Sequence, residues 1–166
     1  YYTGIFRQAP SAAVSAAYQA MPTANDALNS MLSAANASVD PVVRLYQTAF
    51  NRVPDTAGMT AWVVPFSTGA LTLQTIANGF TQSTEFTTLY PTTMSNSQFV
   101  GALYWNILQR QGEAAGIQGW VDALNKGALT RAQVLLGFSD SAEFVAKIEP
   151  NVNAFLTGCA NNTQTY

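Results

Sequence analysis

The stretches "STGALTLQTIANGFTQSTEF" (residues 67–86) and "NKGALTRAQVLLGFSDSAEF" (residues 125–144) are two versions of one segment, 58 residues apart. Carried back to Val42 and Val100 without a gap, the alignment keeps 17 of 45 positions identical. Tyr46/Tyr104, Arg52/Arg110, Gly58/Gly116, Trp62/Trp120, Gly69/Gly127, Thr72/Thr130, Phe80/Phe138, Ser83/Ser141 and Glu85/Glu143 are among them. A duplication this long constrains the fold more than any other feature, because both copies must form the same supersecondary unit. The chain then divides into residues 1–41 (an N-terminal helical segment), 42–99 (unit one), 100–148 (unit two) and 149–166 (a C-terminal tail or the start of a linker). The N-terminal segment reads as a degenerate partial repeat, with Tyr2 on Tyr46, Phe6 on Phe50, Pro10 on Pro54 and Tyr18 on Trp62.

The period within each copy is helical. Phe99, Val100, Leu103, Tyr104, Ile107 and Leu108 fall on one half of a helical wheel, behind Ser95 and Gln98 at capping-box spacing. Asp55 and Glu113 stand where a helix N-terminus favours a carboxylate. Gly69 and Gly127 suit the left-handed position that ends a helix, and Thr72 and Thr130 then cap the next one. In "SDSAEF", Asp140 and Glu143 have capping-box spacing. Period-two alternation is absent, so strands are not expected. Pro65, where the second copy has Ala123, should kink or shorten the Trp62 helix by removing a donor and crowding the preceding turn. The expected fold is all-α, with duplicated multi-helix units packed into one compact helical domain.

The chemistry of the side chains excludes several function classes. There are only 2 lysines among 7 basic residues, and the net charge is −2. Neutralising a phosphate backbone takes clustered Lys or Arg, so neither nucleic acid nor an anionic membrane surface is an expected partner. No apolar run is long enough to span a bilayer. With no histidine, a single cysteine and no nucleophile, phosphate-loop or calcium-loop motif, neither an enzyme nor a metal site is expected in this segment. The lone Cys159 leaves stability to packing. The chain lacks both an initiating Met and a signal-peptide pattern, and reads as a piece of something longer.

Residues shared by both copies are expected to serve the fold. Arg52 with Glu85, and Arg110 with Glu143, should meet and tie the loop to the fourth helix of each unit, and Trp62 and Trp120 should anchor cores. Function is expected where the copies disagree. Trp105 replaces Gln47 and points away from the apolar arc, near Gln109; an exposed indole offers a rigid face for stacking on a sugar ring or a partner. Tyr90, Tyr1 and Tyr2 are further aromatic candidates of the same type.

The pattern L-Y-x5-R-x-P-D-x-x-G-x3-W followed by G-A-L-T and G-F-x-x-S-x-E-F, carried by "LYQTAFNRVPDTAGMTAW" and "GFTQSTEF", resembles a bacterial repeat family of unknown function. "LYWNILQRQGEAAGIQGW" and "GFSDSAEF" fit the same pattern, with Gly112-Glu113 in place of Pro-Asp. Such repeats occur in secreted surface proteins, including S-layer and RTX-type exports that leave by type I secretion. More loosely, the chain is similar to helical N-terminal domains that anchor alphaproteobacterial S-layers to lipopolysaccharide O-chains. The resemblance implies a non-enzymatic, extracellular anchoring module that binds cell-surface polysaccharide. The rival expectation is a protein–protein assembly module that contacts neighbouring copies in a lattice or filament. No cofactor is implied here, and calcium would belong to glycine-rich repeats elsewhere in the full-length protein.

Overall fold

A computed structural model describes residues 1–163, and among them there is no strand. The helices run α1 (Tyr2–Phe6), α2 (Ala12–Gln19), α3 (Ala24–Ser38), α4 (Asp40–Phe50) and α5 (Thr56–Gly58). A π-helical turn π1 (Met59–Val63) leads into α6 (Val64–Ser67), α7 (Leu73–Gln82), α8 (Thr84–Leu89) and α9 (Asn96–Leu103). A second π turn, π2 (Tyr104–Leu108), precedes α10 (Ala114–Asn125), α11 (Arg131–Ser139) and α12 (Ala142–Ala160).

The expected all-α fold and its duplication are what the structure shows. Residues cluster into two compact units. The first takes residues 1–43, 53–71 and the described residues from Ile148 to 163, and the second takes 44–52 and 72–147. The second copy of the repeat thus lies inside the second unit up to Lys147, whereas the first copy contributes residues 42–43 and 53–71 to the first unit.

In the first unit α1 lies directly on the last turn of α12. A Cβ on Gly4 would fall 2.0 Å from the Cys159 carbonyl oxygen, so only glycine permits that approach. The tail or linker expected from residue 149 is instead helix through Ala160. Its Val152, Phe155, Leu156 and Cys159 are buried, forming the i, i+3, i+4, i+7 stripe that holds a helix to a core. The last three residues of that predicted tail lie outside the described residues.

In the second unit, the equivalent helices α7 and α11 of the two copies pack on each other. Ile76, Ala77 and Phe80 are buried on one, and Val134, Leu135 and Phe138, at the aligned positions, on the other. All six residues of the predicted arc from Phe99 to Leu108 are buried.

The repeat's punctuation works as its chemistry requires. Gly69 and Gly127 take φ of +77° and +67°. At each, the glycine's own N–H and the next one fold back onto the helix end: Gly127 N donates to Leu124 O at 3.1 Å and Ala128 N to Ala123 O at 2.9 Å. Gly69 N and Ala70 N repeat this on Phe66 O and Pro65 O at 3.0 and 2.8 Å. This Schellman closure occupies carbonyls that would otherwise lack partners. Thr72 and Thr130 then accept from the N–H groups of Thr75 and Gln133 at 3.1 and 3.2 Å. Ser95 and Thr130 both form full capping boxes.

The degenerate first repeat also shows in the backbone. Arg7, Asn51 and Gln109, which fall at one position of the three-way alignment, take φ of 56°, 52° and 55°. Four residues further on, Ser11, Asp55 and Glu113 are each the N-cap residue of the next helix.

Two expected caps are corrected. Asp55 accepts from Gly58 N at 2.7 Å, but Glu113 makes no cap bond and instead accepts from Arg110 Nη1 at 2.9 Å. The longer Glu side chain reaches the guanidinium, whose charge outcompetes a neutral N–H. The second correction concerns Asp140 and Glu143, which do not form a capping box. Ser141 caps α12, accepting from Phe144 N at 3.3 Å, while Asp140 lies 3.6 Å from Arg44 and Glu143 pairs with Arg110.

Pro65 acts as its chemistry predicts. The helix that runs unbroken as α10 in the second copy is split in the first into α5, π1 and α6, with the proline in the first turn of α6. The proline ring crowds the carbonyl four residues back, at Ala61 inside π1, and the turn there is the wider π type.

Candidate functional site

Trp105 is 66% exposed, the most exposed large apolar side chain described. It sits in π2, where Tyr104, Ile107 and Leu108 turn inward. Successive residues of a helical turn point to different sides, so this one offers an outward indole at Trp105 and an inward phenol at Tyr104. Wide turns of this kind occur often at functional sites. Two side chains tie down the turn. Asn106 Nδ2 donates to Tyr90 Oη at 3.3 Å, and Lys147 Nζ donates to Ile107 O at 3.3 Å.

The other predicted ligand-binding residues divide. Gln109 is exposed, and its left-handed backbone ends π2. Tyr1 is half-exposed, whereas the Tyr2 ring lies against Phe6 at 4.4 Å and Tyr18 at 6.0 Å. Both tyrosines belong to the first unit, and Trp105 and Gln109 to the second. Tyr90 is a correction: it is buried, with its ring 4.7 Å from Phe86 and 5.4 Å from Phe99, so it has no face to offer a ligand. Burial raises its phenol pKa, and the bond from Asn106 opposes that shift.

The residues expected to serve the fold show the predicted pairing. Arg52 binds both oxygens of Glu85, at 2.8 and 2.9 Å, and Arg110 binds both of Glu143, at 2.6 and 2.7 Å. Each guanidinium also lies 5.4 Å from the centre of the tyrosine ring of its own copy, Tyr46 or Tyr104. Glu143 and then Glu113 raise the pKa of the Arg110 guanidinium, which in turn holds the Glu143 carboxyl below its ordinary range. The Glu113 carboxyl is lowered by its own backbone N–H and then by Arg110. Trp62 and Trp120 are half-buried, not core-filling.

That half-burial exposes something the sequence reading missed. In the second copy Tyr104, Leu108, Arg110, Trp120, Phe138 and Glu143 line an open cleft of about 220 Å³. Phe138 stands edge-on to Tyr104 at 4.9 Å and tilted against Trp120 at 5.8 Å. Gly137 makes room for the indole, since a Cβ there would come within 2.6 Å of it. Most of these residues belong to the repeated motif itself. The signal was the recurrence of three ring positions and an ion pair, and a fold-only reading left no room for a cavity.

Fold and site together define an all-helical duplicated-repeat protein with an exposed tryptophan and an aromatic cleft. A family model described as a domain of unknown function (DUF4214) matches residues 21–90 and, again, 77–148. The chain belongs to that family. No curated protein and no solved structure matches it. No helix among the described residues is long and apolar enough to cross a membrane, and no cluster of His, Cys, Asp and Glu among them could hold a metal ion.

Proposed function

We propose that this chain is a non-enzymatic module of an exported bacterial cell-surface protein of S-layer type, and that it anchors the protein by binding surface polysaccharide such as a lipopolysaccharide O-chain. The observation that carries the reading is Trp105, an indole 66% exposed on a turn pinned by Asn106 and Lys147. A large apolar ring left in water costs free energy unless something covers it, and the C–H face of a sugar can cover it. The low charge agrees, because sugar recognition rests on hydroxyl and amide hydrogen bonds. Titration with purified smooth and rough lipopolysaccharide tests it. Binding to the smooth form alone is expected; equal binding to both, or binding to neither, contradicts O-chain anchoring.

A second reading, assembly with neighbouring copies, has its own observation. Leu89 is 49% exposed and precedes Tyr90, which is bonded to Asn106 beside Trp105. Two exposed apolar residues are thus chain neighbours of the two bonded ones, and exposed apolar side chains favour protein contacts where they adjoin. Concentration-dependent light scattering without any glycan would favour this reading.

A further inference from the structure

We infer that the cleft formed by Tyr104, Leu108, Trp120 and Phe138, rimmed by the Arg110–Glu143 pair, takes one pyranose ring of an uncharged glycan. The inference rests on the polysaccharide reading and deepens it by supplying a second contact point, distinct from the Trp105 face, and a charge class for the ligand.

Size comes first. Sites that enclose a drug-sized ligand run to about 300–1,000 Å³, and this cleft, at about 220 Å³ and open on one side, has room for a single ring. The walls supply the second argument. Trp120 is only half-buried, so part of it is available; Phe138 closes the floor 5.8 Å behind it, and Tyr104 stands edge-on to Phe138 at 4.9 Å. Such walls suit the apolar face of a sugar.

The rim sets the charge class. Glu143 accepts two bonds from Arg110, yet a carboxylate has about four acceptor sites in all. Its remaining lone pairs can accept from sugar hydroxyls. The charges lining the cleft cancel, Arg110 against Glu143, and so do those just beyond it. Glu113 pairs with Arg110 at 2.9 Å, and Lys147 is bonded to the Ile107 carbonyl and adds its charge to the field at Glu143. Neither an anionic nor a cationic ligand finds an uncompensated partner. The site is built for hydroxyls.

The duplication provides a control. Where the cleft has Leu108, the first copy has Phe50, whose ring lies 4.9 Å from Phe80 and 5.5 Å from Tyr46. Leu108→Phe therefore adds bulk inside the cleft with a side chain that the repeat already accommodates at that position.

The experiment is calorimetric titration of the full chain with dextran, mannan and galactan as neutral polymers and polygalacturonate as the acidic one. At least one neutral polymer is expected to bind, and polygalacturonate more weakly. Leu108→Phe should unfold at the wild-type temperature and bind that polymer at least ten-fold more weakly. Glu143→Gln, which keeps size but loses an acceptor, should also weaken binding, and it stands as the independent test should Leu108→Phe fold poorly. If neutral binding survives both substitutions, or polygalacturonate binds as tightly, the cleft assignment falls while the polysaccharide reading stands. If neither smooth lipopolysaccharide nor any neutral polymer binds, both fall.

Discussion

The two copies of the repeat share their punctuation and differ in their surfaces. Both end a helix on a left-handed glycine and cap the next with threonine, and both clamp a glutamate with an arginine laid over a tyrosine ring. Where they diverge, the side chains differ in bulk and in exposure. Phe50 adds a ring where the second copy has Leu108, and Thr48 is buried, bonded to Arg44 O at 2.8 Å, where the second copy exposes Asn106. The second copy has instead opened a cleft and put an indole into water. A duplicated unit can hold its fold with one set of positions and vary its contacts with another.

The proline difference should give the largest effect on stability. Ala123→Pro places the ring inside unbroken α10 and should cost about 3 kcal/mol or more in urea unfolding. Pro65→Ala, in a helix already divided around the proline, should change stability by less than about 1 kcal/mol. Equal effects would mean that the proline does not cause the division of the first copy's helix.

The caps come next. Asp55→Ala should cost about 1 kcal/mol, because it leaves the Gly58 N–H without its acceptor. Glu113→Ala removes no cap and should lower the melting temperature distinctly less. The reverse ranking would restore Glu113 as a capping residue.

A third contrast is pH. The Glu143 carboxyl is held below its ordinary 4.5 by Arg110, and Glu113 is also lowered. A depressed folded-state pKa adds stability that is complete above the unfolded value and lost as pH falls through the folded one. The melting temperature of the wild type should therefore fall more steeply below pH 4.5 than that of Arg110→Gln, and the two curves should run parallel at neutral pH. Parallel curves throughout would remove the clamp from the account.

The smallest effect is expected at Gln109, whose φ of 55° suits glycine better than any branched or long side chain. Gln109→Gly should be neutral or stabilising by up to about 1 kcal/mol. A marked loss would show that the side chain holds the turn.

Much of the fold was legible because its determinants are local. The stop, corner and cap in "GALT", the arc from Phe99 to Leu108 and the break at Pro65 each act within one or two turns of chain. What escaped was tertiary competition. Whether Glu113 caps a helix or meets Arg110 depends on which partner a folded loop brings near. Tyr90 looked like a surface aromatic, although its i, i+4 spacing from Phe86 could have placed it on that helix's buried side. The site was half visible: Trp105 stood out as a departure from Gln47, while the cleft was hidden because its residues are the repeat's own signature.

The central claim is that the shared positions make the fold, and that binding by the second copy depends on the positions where it departs from the first, Trp105 and Leu108. Trp105→Gln tests it most directly, since it gives the second copy the residue that the first copy carries at Gln47. Titrated with smooth lipopolysaccharide, this variant should bind at least ten-fold more weakly than wild type while its melting temperature stays the same. Wild-type affinity, or a loss of affinity that merely follows a loss of stability, would contradict the claim.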